Sequence, residues 1–441
     1  MSLPRLAKPM TSIPLNLLDE LYLNLDREVE PWTVHYEVTL PEHLDGELLA
    51  AAIALAARRH PLARARLANW RFQDRGYDWE IAAELDHVPL QVVTCVDDAA
   101  LAAQRERLFS ASPSLATAPP FAVVLARGID GDSLLLNLHH AAGDGISAAR
   151  LMLSILRSYL GLADPTPPVD PLRIHDVREL SDARTPQERH ARLVAVAAGA
   201  WRRFAPPARV ARDGGDDRPA YGFELFSLSS DESRRLFAAH PHCTTVNDVL
   251  LAALAVAIGR WNAEHGRRTQ AVALSMPVNL RPPEWQREVF SNFASWVTVW
   301  VRARTDEDLD AVATRVAATT RAIKHDRLGG LAVDLTKVPG RLTIAAKRWL
   351  QHVKTGDAAV DTALLSNLGR IDPLPGRFGH APVWFSPPSQ MPLGASIGVV
   401  TGGERLNVTL RYRHAQFDPA AAHRFVELYH SVLFAPPSSA R

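Results

Sequence analysis

The chain has 441 residues, which favours two domains or one large pseudo-symmetric unit over a single ordinary domain. Hydrophobic residues make up 47% of it and charged residues 22%, a globular composition. Lysine and arginine number 49 against 48 aspartate and glutamate, and this balance argues against bulk electrostatic binding to duplex nucleic acid.

The cysteines and the N-terminus indicate the compartment. Cys95 and Cys243 stand outside any CxxC or zinc-type spacing, which predicts no disulfide framework. Residues 1–20 lack the apolar core and cleavage site of a secretory leader. The longest apolar run, residues 48–57, falls short of the roughly 18 residues of a membrane span. We expect a cytoplasmic protein.

The first part of the chain alternates predicted strands with predicted helices. Asp45 is expected to cap the predicted helix 44–61, and Pro61 is expected to end it. The predicted strands are 32–40 and two within 121–140 joined by the turn Asp130-Gly131; the predicted helices are 44–61 and 146–160.

Two breaker-rich segments divide the chain. Residues 161–176 are rich in proline and show no periodicity, which favours a linker between two halves. Residues 205–220, with prolines and a Gly-Gly pair, are typical of a mobile surface loop.

The second part repeats the mixed pattern. Ser229 and Glu232 have the spacing of a capping box, and a Thr-x-x-Asp start opens the next helix. The predicted strands are 221–229, 270–280, 295–303 and 406–413, and the predicted helices begin near residues 229 and 245.

A polar cluster, "NLHHAAGDGIS" (137–147), follows an apolar strand. His139 and His140 should point in opposite directions. We expect Gly143 and Gly145 to allow a tight turn with unusual dihedral angles, which folds Asp144 back. An imidazole suits general-base chemistry, although a hydrogen-bonded structural pair is an open alternative. A metal site formed by His139, His140 and Asp144 is less favoured, since adjacent strand residues do not easily reach one ion.

The segment "HHAAGDG" (139–145) resembles the HHxxxDG signature of the condensation-domain and CoA-dependent acyltransferase superfamily. Other segments resemble parts of the same family in the expected order: 58–67, 245–254, 275–282, 292–301 and 366–371. The resemblance implies an α+β (mixed α/β) fold of two chloramphenicol-acetyltransferase-like halves, residues 1–170 and 171–441. Together they would form a pseudo-dimer with a tunnel between them.

The resemblance also implies roles for individual residues. His140 would be the catalytic base and His139 a structural neighbour facing inward. Asp144 and Gly145 would shape the turn, and Arg281 is the candidate partner of Asp144. Ser366 and Asn367 are candidates for binding the oxyanion or substrate, or else they shape the turn before Gly369.

The implied activity is that of a free-standing acyltransferase (EC 2.3.1 type), in natural-product biosynthesis. Acyl-phosphopantetheine on an acyl or peptidyl carrier protein, or acyl-CoA, would donate to a small alcohol or amine. No permanently bound cofactor and no metal are expected, and we expect a monomer. Alternatives are a wax-ester or lipid O-acyltransferase, an epimerising relative and a catalytically silent carrier-binding module. The motifs specify neither the acyl chain nor the acceptor.

A basic run covers residues 337–354, without an acidic residue. Lys347 and Arg348 are candidates for docking a carrier protein or the phosphates of coenzyme A. The same run would also suit an anionic membrane or a solvated helix face. Its basic residues include Lys337, Arg341, Lys347, Arg348 and Lys354.

A serine-hydrolase motif is also present at "GASIG" (394–398). A nucleophile elbow needs a helix after its serine, whereas a strand and a glycine turn are predicted to follow Ser396. We therefore expect these glycines to serve close backbone packing.

Overall fold

A computed structural model describes residues 10–116, 119–202, 206–238, 241, 243–285, 287–302, 307–337, 342–354, 361–391 and 393–434. Helices and sheets mix throughout, which confirms the predicted α+β class. The helices are α1 Leu17–Leu25, α2 Gly46–Arg59, α3 Asp98–Phe109, α4 Gly145–Tyr159, α5 Arg178–Ser181, α6 Pro186–Arg202, α7 Ser230–Ala238, α8 Val246–Glu264, α9 Leu309–His325, α10 Leu331–Lys337, α11 Ile344–Lys354 and α12 Pro419–Leu433. The strands are β1 Met10–Pro14, β2 Thr33–Leu40, β3 Ala65–Leu67, β4 Asp78–Ala82, β5 Leu90–Thr94, β6 Phe121–Arg127, β7 Asp132–His139, β8 Tyr221–Ser227, β9 Val272–Asn279, β10 Ala294–Val301, β11 Ala363–Arg370, β12 Val383–Ser386, β13 Ala395–Gly402 and β14 Arg405–Arg413.

Two large sheets organise these elements. A five-stranded sheet has the order β12-β2-β7-β6-β5, and a six-stranded sheet has the order β10-β9-β11-β13-β14-β8. The six-stranded sheet is built only from strands of the predicted second half. The five-stranded sheet takes four strands from the first half, and β12 crosses from the second half to pair antiparallel with β2. The halves therefore share a sheet.

Each large sheet buries one face under helices. In the first half, alternate residues of β2 and β7 pack with α2 and α4. In the second half, α8, α9 and α12 pack against the six-stranded sheet, and α8 is apolar on nearly all sides because it lies inside this layer. The opposite faces of the two sheets meet at the seam between the halves, where Arg411 of β14 donates to the Thr33 carbonyl of β2 and Phe223 of β8 packs against Phe109 of α3.

Helix boundaries follow from local chemistry. The Asp45 carboxylate accepts from the Leu48 amide at 2.8 Å, and α2 ends before His60 and Pro61 as predicted. Thr245 and Asp248 form the capping box that opens α8. These caps satisfy amides that the first helical turn leaves without partners.

Residues 161–176, the predicted linker, are anchored by side chains, and the division into two halves stays a prediction. Asp164 accepts a 2.6 Å hydrogen bond from Ser154 and pairs with Arg150 and Arg157. The prediction of a mobile loop at 205–220 is wrong for its first half. Val210 and Ala211 are buried, and the Ala211 amide donates to Asn262.

Within the described ranges, no helix is long and apolar enough to cross a membrane.

Candidate active site

His139 and His140 lie where β7 ends and are held by different partners. The His139 ring is 2% exposed, accepts from the Ala141 amide through Nδ1, and lies 3.5 Å from the Asp26 carboxylate through Nε2. The His140 ring lies against Tyr22, with ring centroids 4.1 Å apart. The two imidazoles thus diverge, as strand alternation predicts.

The backbone of His140 is fixed from both halves of the chain. Its amide donates to the Trp32 carbonyl at 3.0 Å, and its carbonyl accepts from the Asn292 side chain at 2.9 Å. The Tyr22 hydroxyl donates to the Ala294 carbonyl, which holds the Tyr22 ring against the imidazole. The position of His140 therefore depends on the contact between the halves.

Burial makes the His140 ring a neutral group. The ring is 7% exposed, and this burial lowers its pKa to about 4, while its own carbonyl and the Asp144 carboxylate act in the opposite direction. Nδ1 has no hydrogen-bond partner among the described residues. A histidine in this state is uncharged near pH 7 and can accept a proton.

Asp144 is paired with Arg281, the partner proposed from the sequence. Both guanidinium nitrogens reach the carboxylate, Nη1 at 2.5 Å and Nη2 at 2.9 Å, and the Arg281 side chain is fully buried. The carboxylate also accepts from the amides of Phe293 and Ser147, each at 3.0 Å. Burial alone would raise the pKa of Asp144, but Arg281 and these amides outweigh it and lower the pKa. Its oxygens are thus occupied by structural partners.

The glycines of the turn serve packing, and their predicted unusual dihedral angles are not found. Neither Gly143 nor Gly145 has a positive φ. A Cβ on Gly145 would lie 2.7 Å from the Phe385 ring and 2.8 Å from Leu368. The start of α4 therefore approaches β11 and β12 more closely than any side chain at residue 145 would allow.

Ser366 and Asn367 lie on β11, which runs toward the same region. Ala363 and Leu365 pack into the core of the second half, so alternation turns Ser366 toward the seam. Asn367 accepts from the Gly369 amide at 2.8 Å, and Gly369 has φ 70°. Asn367 therefore shapes the turn, whereas Ser366 remains the oxyanion candidate.

The docking prediction for Lys347 is wrong. Lys347 is 4% exposed and forms an ion pair with Glu20 on α1, so its charge is already compensated inside the fold. Arg348 is exposed beside it and lies over the Trp70 ring at 5.3 Å. Arg341 falls outside the described residues, as does the side chain of Lys354.

The hydrolase motif is structural. Ser396 lies inside β13 with 0% exposure and donates to the Pro388 carbonyl at 2.8 Å. A Cβ on Gly398 would lie 2.1 Å from the Phe385 carbonyl, so this glycine lets β12 cross β13. No group of three histidine, cysteine or acidic side chains suited to a metal occurs in the described part of the chain.

A small cavity of about 10 Å³, enough for roughly one water molecule, lies between the five-stranded sheet and strands β8 and β14. Phe385 lines it and also lies close to Gly145. Two buried polar atoms in its wall, His35 Nδ1 and Thr409 Oγ1, have no described partner. A tunnel between the halves stays a prediction.

Sequence reasoning missed Tyr22 as part of the site and did not assign the Asn292 side chain. The Asn-Phe stretch at 292–293 resembled the family, but its spacing did not indicate that Asn292 would hold the His140 carbonyl. Tyr22 lies on an amphipathic helix and reads as an ordinary core aromatic. Only the tertiary contact reveals it.

Comparisons with known proteins bear on the family and the fold. The condensation-domain family model matches residues 22–333. An uncharacterized protein of Mycobacterium tuberculosis strain H37Rv is 36% identical over 439 residues, covering 96% of this chain and 99% of that protein. Among solved structures, the first condensation domain of the calcium-dependent antibiotic synthetase in complex with a substrate analogue matches with a TM-score of 0.70 at 17% identity, covering 97% of each chain. The epimerization domain of tyrocidine synthetase B matches with a TM-score of 0.65 at 16% identity, covering 97% of this chain and 96% of that one. At such identities the structural likeness establishes the fold.

Proposed function

The chain belongs to the condensation-domain family, and we propose that it is an acyltransferase that moves an acyl group from a pantetheine thioester to an alcohol or amine. The observation that carries the proposal is His140, a buried imidazole at the seam that is uncharged at neutral pH. The donor thioester would be held by an acyl or peptidyl carrier protein or by coenzyme A. Natural-product biosynthesis is the proposed setting.

The proposed step needs one base and no covalent enzyme intermediate. The neutral imidazole of His140 takes the proton of the acceptor hydroxyl or amine as its oxygen or nitrogen attacks the thioester carbon. The tetrahedral oxyanion then collapses, the carbon–sulfur bond breaks, and the imidazolium returns the proton to the thiolate. A positioned base of this kind contributes roughly 10²–10⁴-fold.

Burial favours the second proton transfer, from the imidazolium to the thiolate, while it makes His140 a weaker base in the first. Because the site disfavours the imidazolium, His140 holds a proton only while the oxyanion is present and releases it as the thiol leaves. The oxyanion itself needs a hydrogen-bond donor, and the Ser366 hydroxyl is our candidate because it faces the seam. Holding donor and acceptor together supplies much of the remaining rate enhancement.

Asp144, Arg281 and Tyr22 are proposed to act through position. The Asp144–Arg281 pair fixes the turn that follows His140, and the second half supplies Arg281. Burial raises the pKa of the Tyr22 hydroxyl, which donates to a backbone carbonyl, so it stays protonated and holds its ring against the imidazole. None of the three needs to exchange a proton with the substrate.

The test measures thiol release and product mass with acyl-CoA and acyl-carrier donors and a panel of alcohols and amines. We expect acceptor-dependent release in the wild type and in Ser396→Ala, and a loss of 10²-fold or more in His140→Ala. Ser396 is a matched control because it is equally buried but bonded only to a backbone carbonyl. Unfolding midpoints of all three proteins show whether each variant is folded.

Other outcomes would replace the proposal. Release that persists in His140→Ala but disappears in Ser396→Ala would indicate a serine hydrolase. Donor binding without release for any acceptor would indicate a carrier-binding module. Solvent deuterium incorporation at the donor α-carbon, without acyl transfer, would indicate an epimerising enzyme.

A further inference from the structure

The edge strand β10 carries two tryptophans on the face that points away from the core of the second half. Val297, Val299 and Val301 point into the core of the second half. Alternation therefore places Trp296, Thr298 and Trp300 on the opposite face, where all three are half-buried and Trp296 packs against a second buried cluster that contains Tyr22. Two indole rings thus flank a threonine, each about 7 Å from it along the strand.

A carboxylate lies at the centre of this row. The Thr298 hydroxyl contacts both Asp361 oxygens, at 3.0 and 3.1 Å, and Ser275 on the adjacent strand also hydrogen-bonds to this carboxylate. Asp361 remains partly exposed to solvent. Burial raises its pKa to about 6, while Thr298, Ser275 and Arg209 act in the opposite direction.

Within the described ranges this carboxylate is not in an ion pair, although the positive charge of Arg209 acts on it from nearby. Arg209 donates instead to the Asp361 backbone carbonyl at 3.0 Å. A desolvated carboxylate without a cation is costly unless another group supplies positive charge. Hydroxyls hold the Asp361 carboxylate in place, but they do not neutralise it.

The row leads to the catalytic histidine. Trp296 lies 6.2 Å from the Tyr22 ring, and Tyr22 lies against His140. The Tyr22 hydroxyl bonds to the carbonyl of Ala294, and Thr298 is four residues further along the same strand, about 13 Å away. Asp361 is therefore too far from His140 to touch the reacting atoms, but it lies within the length of a small substrate.

We propose that Asp361, with the Trp296 and Trp300 rings, binds a cationic amine on the acceptor, on the order of 10 Å from the acceptor's nucleophilic group. A carboxylate attracts an ammonium by charge, and tryptophan rings on the same face of the strand can add cation–π attraction. The inference rests on the proposed acyl transfer and names its acceptor class: a small molecule with a nucleophilic hydroxyl or amine at one end and a basic amine at the other.

The test compares two acceptors of equal length, 8-amino-1-octanol and 1-nonanol, which differ in the charge of the far end. We expect the wild type to show a KM for the amino alcohol that is at least about 10-fold lower. In Asp361→Asn the ratio of the two KM values should fall to about 2 or less. Asp310→Asn, a control at an exposed aspartate on α9, should keep the wild-type ratio.

Two further measurements test the Asp361 site independently of turnover and of folding. Calorimetric binding of 1,8-diaminooctane should weaken about 10-fold in Asp361→Asn even if no donor supports turnover. If Asp361→Asn does not fold, Trp300→Leu should reduce the selectivity several-fold. Thiol release with equal KM for both acceptors in the wild type would refute this site while leaving the acyl transfer intact. A purely structural Asp361 would lower the unfolding midpoint without changing the selectivity.

Discussion

Removal of the Asp144 carboxylate tests whether this residue is architectural. Asp144→Ala leaves the Arg281 guanidinium at 0% exposure without a counter-charge and deprives two backbone amides of their acceptor. Breaking a buried pair from one side costs about 3–5 kcal/mol. Arg281 keeps other acceptors, the Ser291 carbonyl at 2.6 Å and the Ser147 hydroxyl at 3.1 Å, so we expect the lower end, about 3 kcal/mol.

The assay is a double-mutant cycle in urea. The free energy of unfolding is measured for the wild type, Asp144→Ala, Arg281→Met and the double variant, because replacing both charges removes the orphaned cation. We expect the double variant to be more stable than the sum of the single losses by about 2 kcal/mol or more. The exposed pair Asp231 and Arg234 serves as the control cycle, with a coupling below about 1 kcal/mol.

Two results would refute this reasoning. A loss below about 1 kcal/mol in Asp144→Ala would mean that water or a shifted side chain replaces the carboxylate at no cost. Strict additivity in the cycle would mean that the two charges do not depend on each other. If instead Asp144→Ala stayed fully stable but lost thiol release, the carboxylate would have a role in the reaction.

Three further predictions concern the same region. Burial holds the pKa of His140 near 4, against an ordinary value of 6.5, so between these pH values the unfolded chain binds a proton that the folded chain does not. The stability that the neutral His140 contributes is therefore fully present above pH 6.5 and is lost as pH falls toward 4. The loss of unfolding free energy is on the order of 3 kcal/mol, and urea titrations at several pH values should show a smaller loss in His140→Gln. The same dependence of unfolding free energy on pH in both proteins would contradict the lowered pKa of His140. Gly145→Ala should destabilise by about 1–3 kcal/mol because its Cβ meets the neighbouring side chains, whereas Gly199→Ala, with open space in α6, should be neutral or slightly stabilising; equal effects would remove the packing argument. Lys347→Met should lower stability by about 3 kcal/mol. Arg348→Glu, which loses the contacts of Arg348 with Trp70 and Tyr77, should lower stability by only about 1 kcal/mol and should raise the donor KM if Arg348 docks the donor; an unchanged KM would exclude docking there.

Local features of this fold were predictable because local chemistry determines them. The caps at Asp45 and Thr245 depend on residues within one helical turn, and the strand leading into His139 shows clear β-type patterning. The pairing of Asp144 with Arg281 joins residues 137 positions apart. It was proposed through family resemblance, since neither side chain identifies its partner by spacing.

The wrong predictions came from side chains whose surroundings are tertiary. A lysine in a basic helix normally faces solvent, but α11 packs on α1, where Glu20 compensates Lys347. Glycines beside an aspartate suggest a strained turn, but here the crossing of β12 decides where a Cβ has room. Four residues of β12 carry no signal that they will pair with a strand almost 350 positions earlier.

The proposed base takes part of its support from the other half of the chain. The first half alone supplies His140 on a buried strand end, but the groups that fix it, Asn292 and the Arg281 clamp, belong to the second half. A site built this way is complete only when the two halves are in contact. A substitution at their interface should therefore reduce activity before it unfolds either core. Burial outweighs the nearby Asp144 carboxylate in setting the pKa of His140, so the imidazole is uncharged at neutral pH and can take a proton.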